Sequence, residues 1–229
     1  MQPEQTEEFR SLLSKRAERI PLQYITGVQE FMGLSFKVNS NVLIPRQDTE
    51  TLVEEALKRV RPGMRVLDMC TGSGCVLVSI LKNVPNVEGY GYDISKQALV
   101  VAKENARMNG VSAVFERSDL FENVTGEFDV IVSNPPYIRS GDIPQLMPEV
   151  ANFEPIAALD GKEDGLYFYR KMIEQAGSYL RPGGALMFEI GWDQGRYVSE
   201  LMRDAQYQEV RIVKDLARND RVVIGEYYK

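Results

Sequence analysis

Val66-Leu67-Asp68-Met69-Cys70-Thr71-Gly72-Ser73-Gly74-Cys75-Val76 decides the fold of this 229-residue chain. A short apolar run ends in a carboxylate, a Gly/Ser-rich turn follows, and helical periodicity opens over 75–82. Glycines let a backbone turn tightly and approach a ligand, while a helix N-terminus supplies donors and positive potential. The spacing is not the complete G-x-G-x-x-G of dinucleotide binding, and no P-loop lysine follows it. A purely structural strand-to-helix turn is the plain alternative. A ligand site is favoured because open α/β sheets bind at the carboxyl ends of their strands.

Outward from that turn, short apolar runs alternate with helical stretches. The expected strands are VLDM (66–69), EGYGYD (88–93), AVFER (113–117), DVIVS (129–133) and ALMFEI (185–190). Helices are expected over 75–82 and 95–109, near 165–180 and near 194–205. This alternation argues for a parallel sheet covered on both faces. The final pair, QEVRIV (208–213) and RVVIGEY (221–227), leaves no room for a crossover helix and must pair antiparallel or sit apart. The fold expected is α/β: a doubly wound, mostly parallel sheet closing in an antiparallel hairpin. Upstream, residues 5–19 read as a polar helix with Phe9, Leu12, Leu13 and Ala17 to one side. The segment Phe31–Val38 reads as strand, and Asp48 or Thr49 stands where it can cap a helix carrying Leu52, Val53, Ala56, Leu57 and Val60.

Composition narrows the chemistry. The chain has 33 acidic and 27 basic residues, a formal charge of −6, two cysteines and no histidine. Ser-His-Asp and Cys-His catalysis are excluded, as is every His-ligated metal site. Two cysteines cannot build a Cys₄ zinc site, so no metal centre is expected. Cys70 and Cys75 read as small packing residues of a cytosolic protein. No apolar run approaches the ~20 residues that span a bilayer, and the polar N-terminus carries no signal-peptide core. A cytoplasmic location without membrane attachment is expected. The acidic balance also speaks against binding that rests on phosphate contacts.

Three further strand ends carry candidate site residues. Asp93 closes its strand near the spacing of about 20 residues at which a carboxylate grips a ribose diol; it can equally cap the following helix, as can Ser95. Asp119, in Ser118-Asp119-Leu120, is placed to reach an adenine amino group, and Leu120 to cover the ring face. The most specific segment is Asn134-Pro135-Pro136-Tyr137. Two prolines remove backbone donors and leave carbonyls that only accept. With the Asn134 side-chain carbonyl they can hold a planar amino group by both N–H bonds, and Tyr137 can stack on it or shield it from water. A stiff turn leaving a strand is the plain alternative.

Together these segments resemble the class I S-adenosylmethionine-dependent methyltransferases that act on a planar nitrogen. Pro21-Leu22-Gln23-Tyr24-Ile25-Thr26-Gly27 and Val42-Leu43-Ile44-Pro45-Arg46-Gln47-Asp48-Thr49-Glu50 look like signatures of the release-factor glutamine methyltransferases (PrmC/HemK type). Glu154-Pro155, Ala158-Leu159, Asp164-Gly165-Leu166 and Asp220-Arg221 fit the same family, from about Arg16 to the C-terminus.

The resemblance implies a Rossmann-like seven-stranded sheet over 46–229. Residues 1–45, an N-terminal helix plus β-hairpin, would be the remnant of a helical substrate-binding domain. It implies S-adenosyl-L-methionine as cofactor, with S-adenosyl-L-homocysteine as product. The cofactor would be held by Cys70, Thr71, Gly72, Ser73, Gly74, Asp93, Asp119, Leu120 and Asn134. Asn134, Pro135, Pro136 and Tyr137 would hold the side-chain amide of the glutamine in the Gly-Gly-Gln loop of a peptide chain release factor. Cys70 stands where the family's first loop glycine falls, and the N-terminal domain is short against the family's several helices.

The same logic serves adenine-N6 nucleic-acid methyltransferases, ribosomal-protein glutamine methyltransferases, or a cofactor-binding module without turnover. Against nucleic acid, the stretch 138–164 carries Asp142, Glu149, Glu154, Asp160, Glu163 and Asp164 against Arg139 and Lys162. That reads as an acidic rim suited to a basic protein loop. With no histidine present, no imidazole can shape the pH profile.

Overall fold

A computed structural model describes residues 3–228. Its helices are α1 (Pro3–Ala17), α2 (Leu22–Thr26), α3 (Glu50–Arg59), α4 (Cys75–Asn83), α5 (Lys96–Met108), α6 (Pro148–Ala151), α7 (Tyr167–Ala176) and α8 (Gly195–Asp204). Its strands are β1 (Val28–Phe31), β2 (Leu34–Lys37), β3 (Arg65–Met69), β4 (Glu88–Asp93), β5 (Val114–Arg117), β6 (Phe128–Ser133), β7 (Leu180–Glu189), β8 (Gln208–Lys214) and β9 (Asp220–Tyr227).

Period-two alternation in the strands builds two cores, one on each face of a single sheet. Val66, Val130, Val132, Met187 and Ile224 face a cluster shared with α3, α4 and α5. Leu67, Ile131, Leu186, Phe188 and Val223 face the cluster of α7 and α8. A truncation such as Leu67→Ala in this close-packed interior costs about 2–5 kcal/mol. The order is β5-β4-β3-β6-β7-β9-β8, seven strands, parallel from β5 through β7. β9 inserts antiparallel between β7 and β8. Strand order reverses between β3 and β6, and the crevice outside their carboxyl ends is the topological switch point.

Several boundaries move from the expected ones. The strand expected at 185 begins at Leu180, because Arg181-Pro182-Gly183-Gly184 is a bulge within it. Gly183 has φ +76, and a Cβ on Gly184 would lie 2.8 Å from the Arg181 carbonyl. α7 is accordingly shorter than the expected 165–180. The expected N-terminal hairpin is present as β1–β2, and the segment read as strand over 31–38 holds the end of β1, the turn at Met32 and Gly33, both with positive φ, and all of β2. Phe31 and Phe36 of that hairpin enter the α3–α5 core, and Asn105 of α5 bonds both the Lys37 amide (2.7 Å) and its carbonyl (3.1 Å). On α1, Phe9, Leu12 and Leu13 are exposed, and its end reaches the 138–164 segment through Arg16 to Glu149 at 2.9 Å.

Candidate functional site

β3 delivers Asp68 and the turn that follows it. The Thr71 hydroxyl donates to Asp68 Oδ2 at 2.6 Å. The Thr71 amide donates to the Tyr92 carbonyl at 3.0 Å, and that of Gly74 to the Thr71 carbonyl at 2.8 Å. Cys70, Gly72 and Gly74 are all left-handed, with φ of 60°, 53° and 78°. A side chain at Gly74 would be strained by the left-handed backbone and would crowd Ala102, whose Cβ would lie 3.1 Å away. A Cβ on Gly72 would meet nothing nearer than the Cys70 carbonyl at 4.0 Å, so the bare backbone leaves open space there. Cys70 explains itself by its angle: the position calls for glycine, and holding a side chain in that conformation costs about 1–3 kcal/mol.

β4 ends in Asp93, which accepts from Gly72 N–H at 2.9 Å and from Ser95 N–H at 2.8 Å. Ser95 is the side-chain cap of α5, accepting from Ala98 N–H at 3.1 Å. Asp93 thus clamps the turn and supports the helix start, with a lone pair on each oxygen still available. Burial raises its carboxyl above the usual range. Burial also pushes the Asp68 carboxyl up to about 7, against the lowering bond from Thr71. After β5, Ser118 is buried, Asp119 exposed and Leu120 half-buried.

β6 ends at Asn134-Pro135-Pro136-Tyr137, where both prolines are buried. Asn134 Nδ2 donates to Thr49 Oγ1 at 3.3 Å. Tyr137 donates its hydroxyl to Glu189 Oε1 at 3.4 Å, and its carbonyl accepts from Gln194 Nε2 at 3.0 Å. Gly161 and Gly165 let the following loop pack on this backbone; a Cβ there would lie 2.7 Å from Tyr137 Cα or 2.5 Å from its carbonyl oxygen. Burial pushes the Tyr137 phenol well above its ordinary value.

One cavity of about 330 Å³ gathers most of these groups. Cys70, Thr71, Gly72, Ser73, Asp93, Asp119, Leu120, Asn134 and Pro136 line it, whereas Gly74, Pro135 and Tyr137 do not. Sequence reasoning missed Arg46, Ile94 and Thr49 on the same wall. Ile94 follows Asp93 directly and is 51% exposed at the cavity. These residues fit S-adenosylmethionine: a carboxylate for a ribose diol, apolar flanks for a base, and a bare glycine turn. Among the described residues, no group of three His, Cys, Asp or Glu is placed to hold a metal ion, and no helix is long and apolar enough to cross a membrane.

Most carboxylates of the 138–164 segment are ion-paired. Glu149 pairs with Arg16 and Arg19, Glu154 with Arg46, Asp160 with Lys162, Asp164 with Arg170, and Asp142 with Arg139. Only Glu163 of that set has no ion pair among the described residues. Arg16, Arg19 and Arg46 reach Glu149 and Glu154 from far away in the sequence, while Arg139 and Lys162 pair within the stretch itself.

The fold is shared with a methyltransferase of Pyrococcus furiosus at 19% identity and a TM-score of 0.68, covering 94% of this chain and all of that one. The family model described as the methyltransferase small domain matches residues 46–151, and that of the PrmC N-terminal domain residues 1–27. Sheet order, switch-point cavity and glycine turn define an S-adenosylmethionine-dependent methyltransferase of the Rossmann-like class.

Relatives narrow the class. The release factor glutamine methyltransferase of Geobacter sulfurreducens is 44% identical over 226 residues, covering 98% of this chain and 80% of that one. That of Thermodesulfovibrio yellowstonii is 41% identical, covering 96% and 81%. The solved protein-(glutamine-N5) methyltransferase (release factor-specific) of Alicyclobacillus acidocaldarius is 32% identical with a TM-score of 0.50, covering 85% of this chain and 100% of that one. This chain belongs to the release factor glutamine methyltransferase family.

Proposed function

We propose that this protein methylates the side-chain amide nitrogen of the glutamine in the Gly-Gly-Gln loop of peptide chain release factors. The observation that carries the reading is Asn134: it lines the same cavity as the glycine turn, with Nδ2 engaged by Thr49. That leaves Oδ1 to accept from a substrate N–H, while the Pro135 carbonyl takes the second. Both bonds raise electron density on an amide nitrogen that resonance otherwise makes a poor nucleophile. S-adenosylmethionine supplies a methyl group on a sulfonium, whose departure needs no proton. Asp93 and the backbone of Cys70 to Gly74 hold the cofactor, with Asp119 and Leu120 at its base. Orientation at such a site supplies roughly 7–11 kcal/mol, and a hydrogen bond that strengthens in the transition state adds about 2–4 kcal/mol. The chain has no histidine, and the proton that the amide sheds passes to water.

A carboxamide and an adenine amino group both present two N–H donors in one plane, and the cradle suits both. Family membership selects the amide. We read residues 1–45 as the part facing the release factor and 46–229 as the methyltransferase domain, in a cytoplasmic protein that does not bind nucleic acid directly. A methyl-transfer assay offering release factor and adenine-containing DNA side by side tests the reading. Label in the protein alone is expected, and label in the DNA alone would overturn it.

A further inference from the structure

Gln194, the residue before α8, is 3% exposed and does not line the cavity. Its Nε2 donates to the Tyr137 carbonyl at 3.0 Å and to the Gly165 carbonyl at 3.3 Å. Its Oε1 accepts from Gly191 N–H at 2.9 Å. The neighbours fix which end of the amide is which, since carbonyls only accept and a backbone N–H only donates. Both N–H bonds of the carboxamide meet an acceptor and its oxygen meets a donor, so this buried polar group is satisfied.

Tyr137 and Gly165 are the two stalks of the 138–164 segment: the chain enters it after Tyr137 and leaves it at Gly165. The stalks lie backbone against backbone, and a Cβ on Gly165 would sit 2.5 Å from the Tyr137 carbonyl oxygen. Ile138 N–H donates to the Leu159 carbonyl at 3.0 Å, and Gly161 N–H to that of Ile138 at 2.8 Å. Between the stalks the segment supplies Pro155, Ala157, Ala158, Asp160 and Lys162 to the cavity. On the other side of Tyr137, Pro136 and Pro135 each lock a backbone angle on the way back to Asn134. The sheet holds the near end of that run, where Ser133 pairs with Met69 and Phe188. A carbonyl fixed at Tyr137 holds the far end.

We propose that Gln194 is a positioning residue: its carboxamide clasps both stalks of the 138–164 segment and so holds Asn134-Pro135-Pro136-Tyr137 in register with the cavity wall that the segment supplies. The consequence for turnover rests on the functional reading above. Side chains of similar length with fewer donors separate a clasp from mere filling of space. Gln194→Met offers no donor. Gln194→Glu offers one O–H while protonated and none once ionised, when its oxygens would face two carbonyls. Burial keeps that proton on to higher pH than an exposed carboxyl allows. Tyr137, Asp164, Tyr169 of α7, Glu189 of β7, Asp193, and Asp220 and Arg221 of β9 are the titratable and charged groups around the position. All of them remain in Gln194→Met, so a pH limb confined to Gln194→Glu belongs to the introduced carboxyl.

Hydrogen exchange read by NMR tests the clasp on the whole protein without any substrate. In Gln194→Met the amides of Ile138, Ser140 and Gly161 exchange about tenfold or more faster than in wild type, while those of β3 and β4 keep the wild-type rate. Unchanged exchange at the stalks, or faster exchange throughout the sheet, overturns the proposal. Turnover on release factor, taken as a ratio to wild type at each pH, gives a second arm, since small misplacement at a reacting centre is costly. Gln194→Met lowers kcat about tenfold or more at every pH. Gln194→Glu stays within about threefold of wild type at low pH and falls toward the Met variant as pH rises. A Met variant as active as wild type, or a Gln194→Glu ratio that does not change with pH, also overturns it. A wild type that leaves release factor unmethylated would defeat the functional reading instead, and exchange at the stalks would still decide the clasp.

Discussion

The Gly72 amide donates to Asp93 Oδ2 at 2.9 Å, tying the glycine turn after β3 to the last residue of β4. The carboxylate that shapes the turn is therefore the one offered to a ribose diol. Asp93→Asn keeps the size, removes the charge and leaves one of the two backbone donors, Gly72 or Ser95 N–H, without its acceptor. Charge-assisted hydrogen bonds are worth about 1.5–3 kcal/mol, so the Kd for S-adenosylmethionine rises about 10–100-fold. Isothermal titration calorimetry reads this directly, and an unchanged Kd would remove Asp93 from the cofactor site.

Asn134→Ala separates chemistry from binding. Loss of an acceptor that matters chiefly in the transition state lowers kcat by about 10²-fold or more, while cofactor Kd stays within about threefold of wild type. An equal loss in both, measured by turnover and calorimetry, would assign Asn134 to the cofactor instead.

Tyr137→Phe asks whether ring or hydroxyl matters. The bond to Glu189, at 3.4 Å, is long, whereas close packing of Gly161 and Gly165 on the Tyr137 backbone holds the residue in place without the hydroxyl. Activity is largely retained. A large loss at all pH values would give the hydroxyl a direct part in turnover.

Cys70, at φ 60°, holds a side chain where glycine is unstrained. In Cys70→Gly, relief of about 1–2 kcal/mol offsets lost packing, and unfolding free energy by urea stays near wild type. A β-branched Cys70→Val adds strain and falls clearly below both. Equal stability of the Gly and Val variants would contradict the left-handed conformation.

Stability should fall as pH rises through neutrality. Burial holds the Asp68 and Glu189 carboxyls at about 7, above their values in the unfolded chain. Each binds its proton more tightly when folded, so its contribution is full below about pH 4 and lost as pH climbs through about 7. Glu149, Asp160 and Asp164, lowered to about 2 chiefly by Arg16, Ser140 and Arg170, act in the opposite sense and only at acid pH. No imidazole contributes in the window between. The thermal midpoint declines from about pH 5 to about pH 8, and Asp68→Asn flattens the slope; a flat wild-type profile would contradict this.

Strand ends and turns were legible because their chemistry is local. Asp68, Gly72, Asp93 and Asn134 each stand directly after an apolar run, and strand polarity alone brings them to one crevice. Thr49 was legible as a helix cap and within the Val42–Glu50 signature, and the structure gives it no capping bond at α3; its hydroxyl oxygen accepts from Asn134 instead. The ion pairs of the 138–164 stretch were hidden for a related reason: Arg16, Arg46 and Arg170 lie outside it and reach Glu149, Glu154 and Asp164 only through folding.

Mass spectrometry of a peptide chain release factor incubated with this protein and S-adenosylmethionine tests the central claim most directly. One added methyl group is expected, on the side chain of the glutamine in the Gly-Gly-Gln loop, and none with Asn134→Ala. An unmodified loop in the presence of bound cofactor, or methyl groups found elsewhere on the factor, would contradict it.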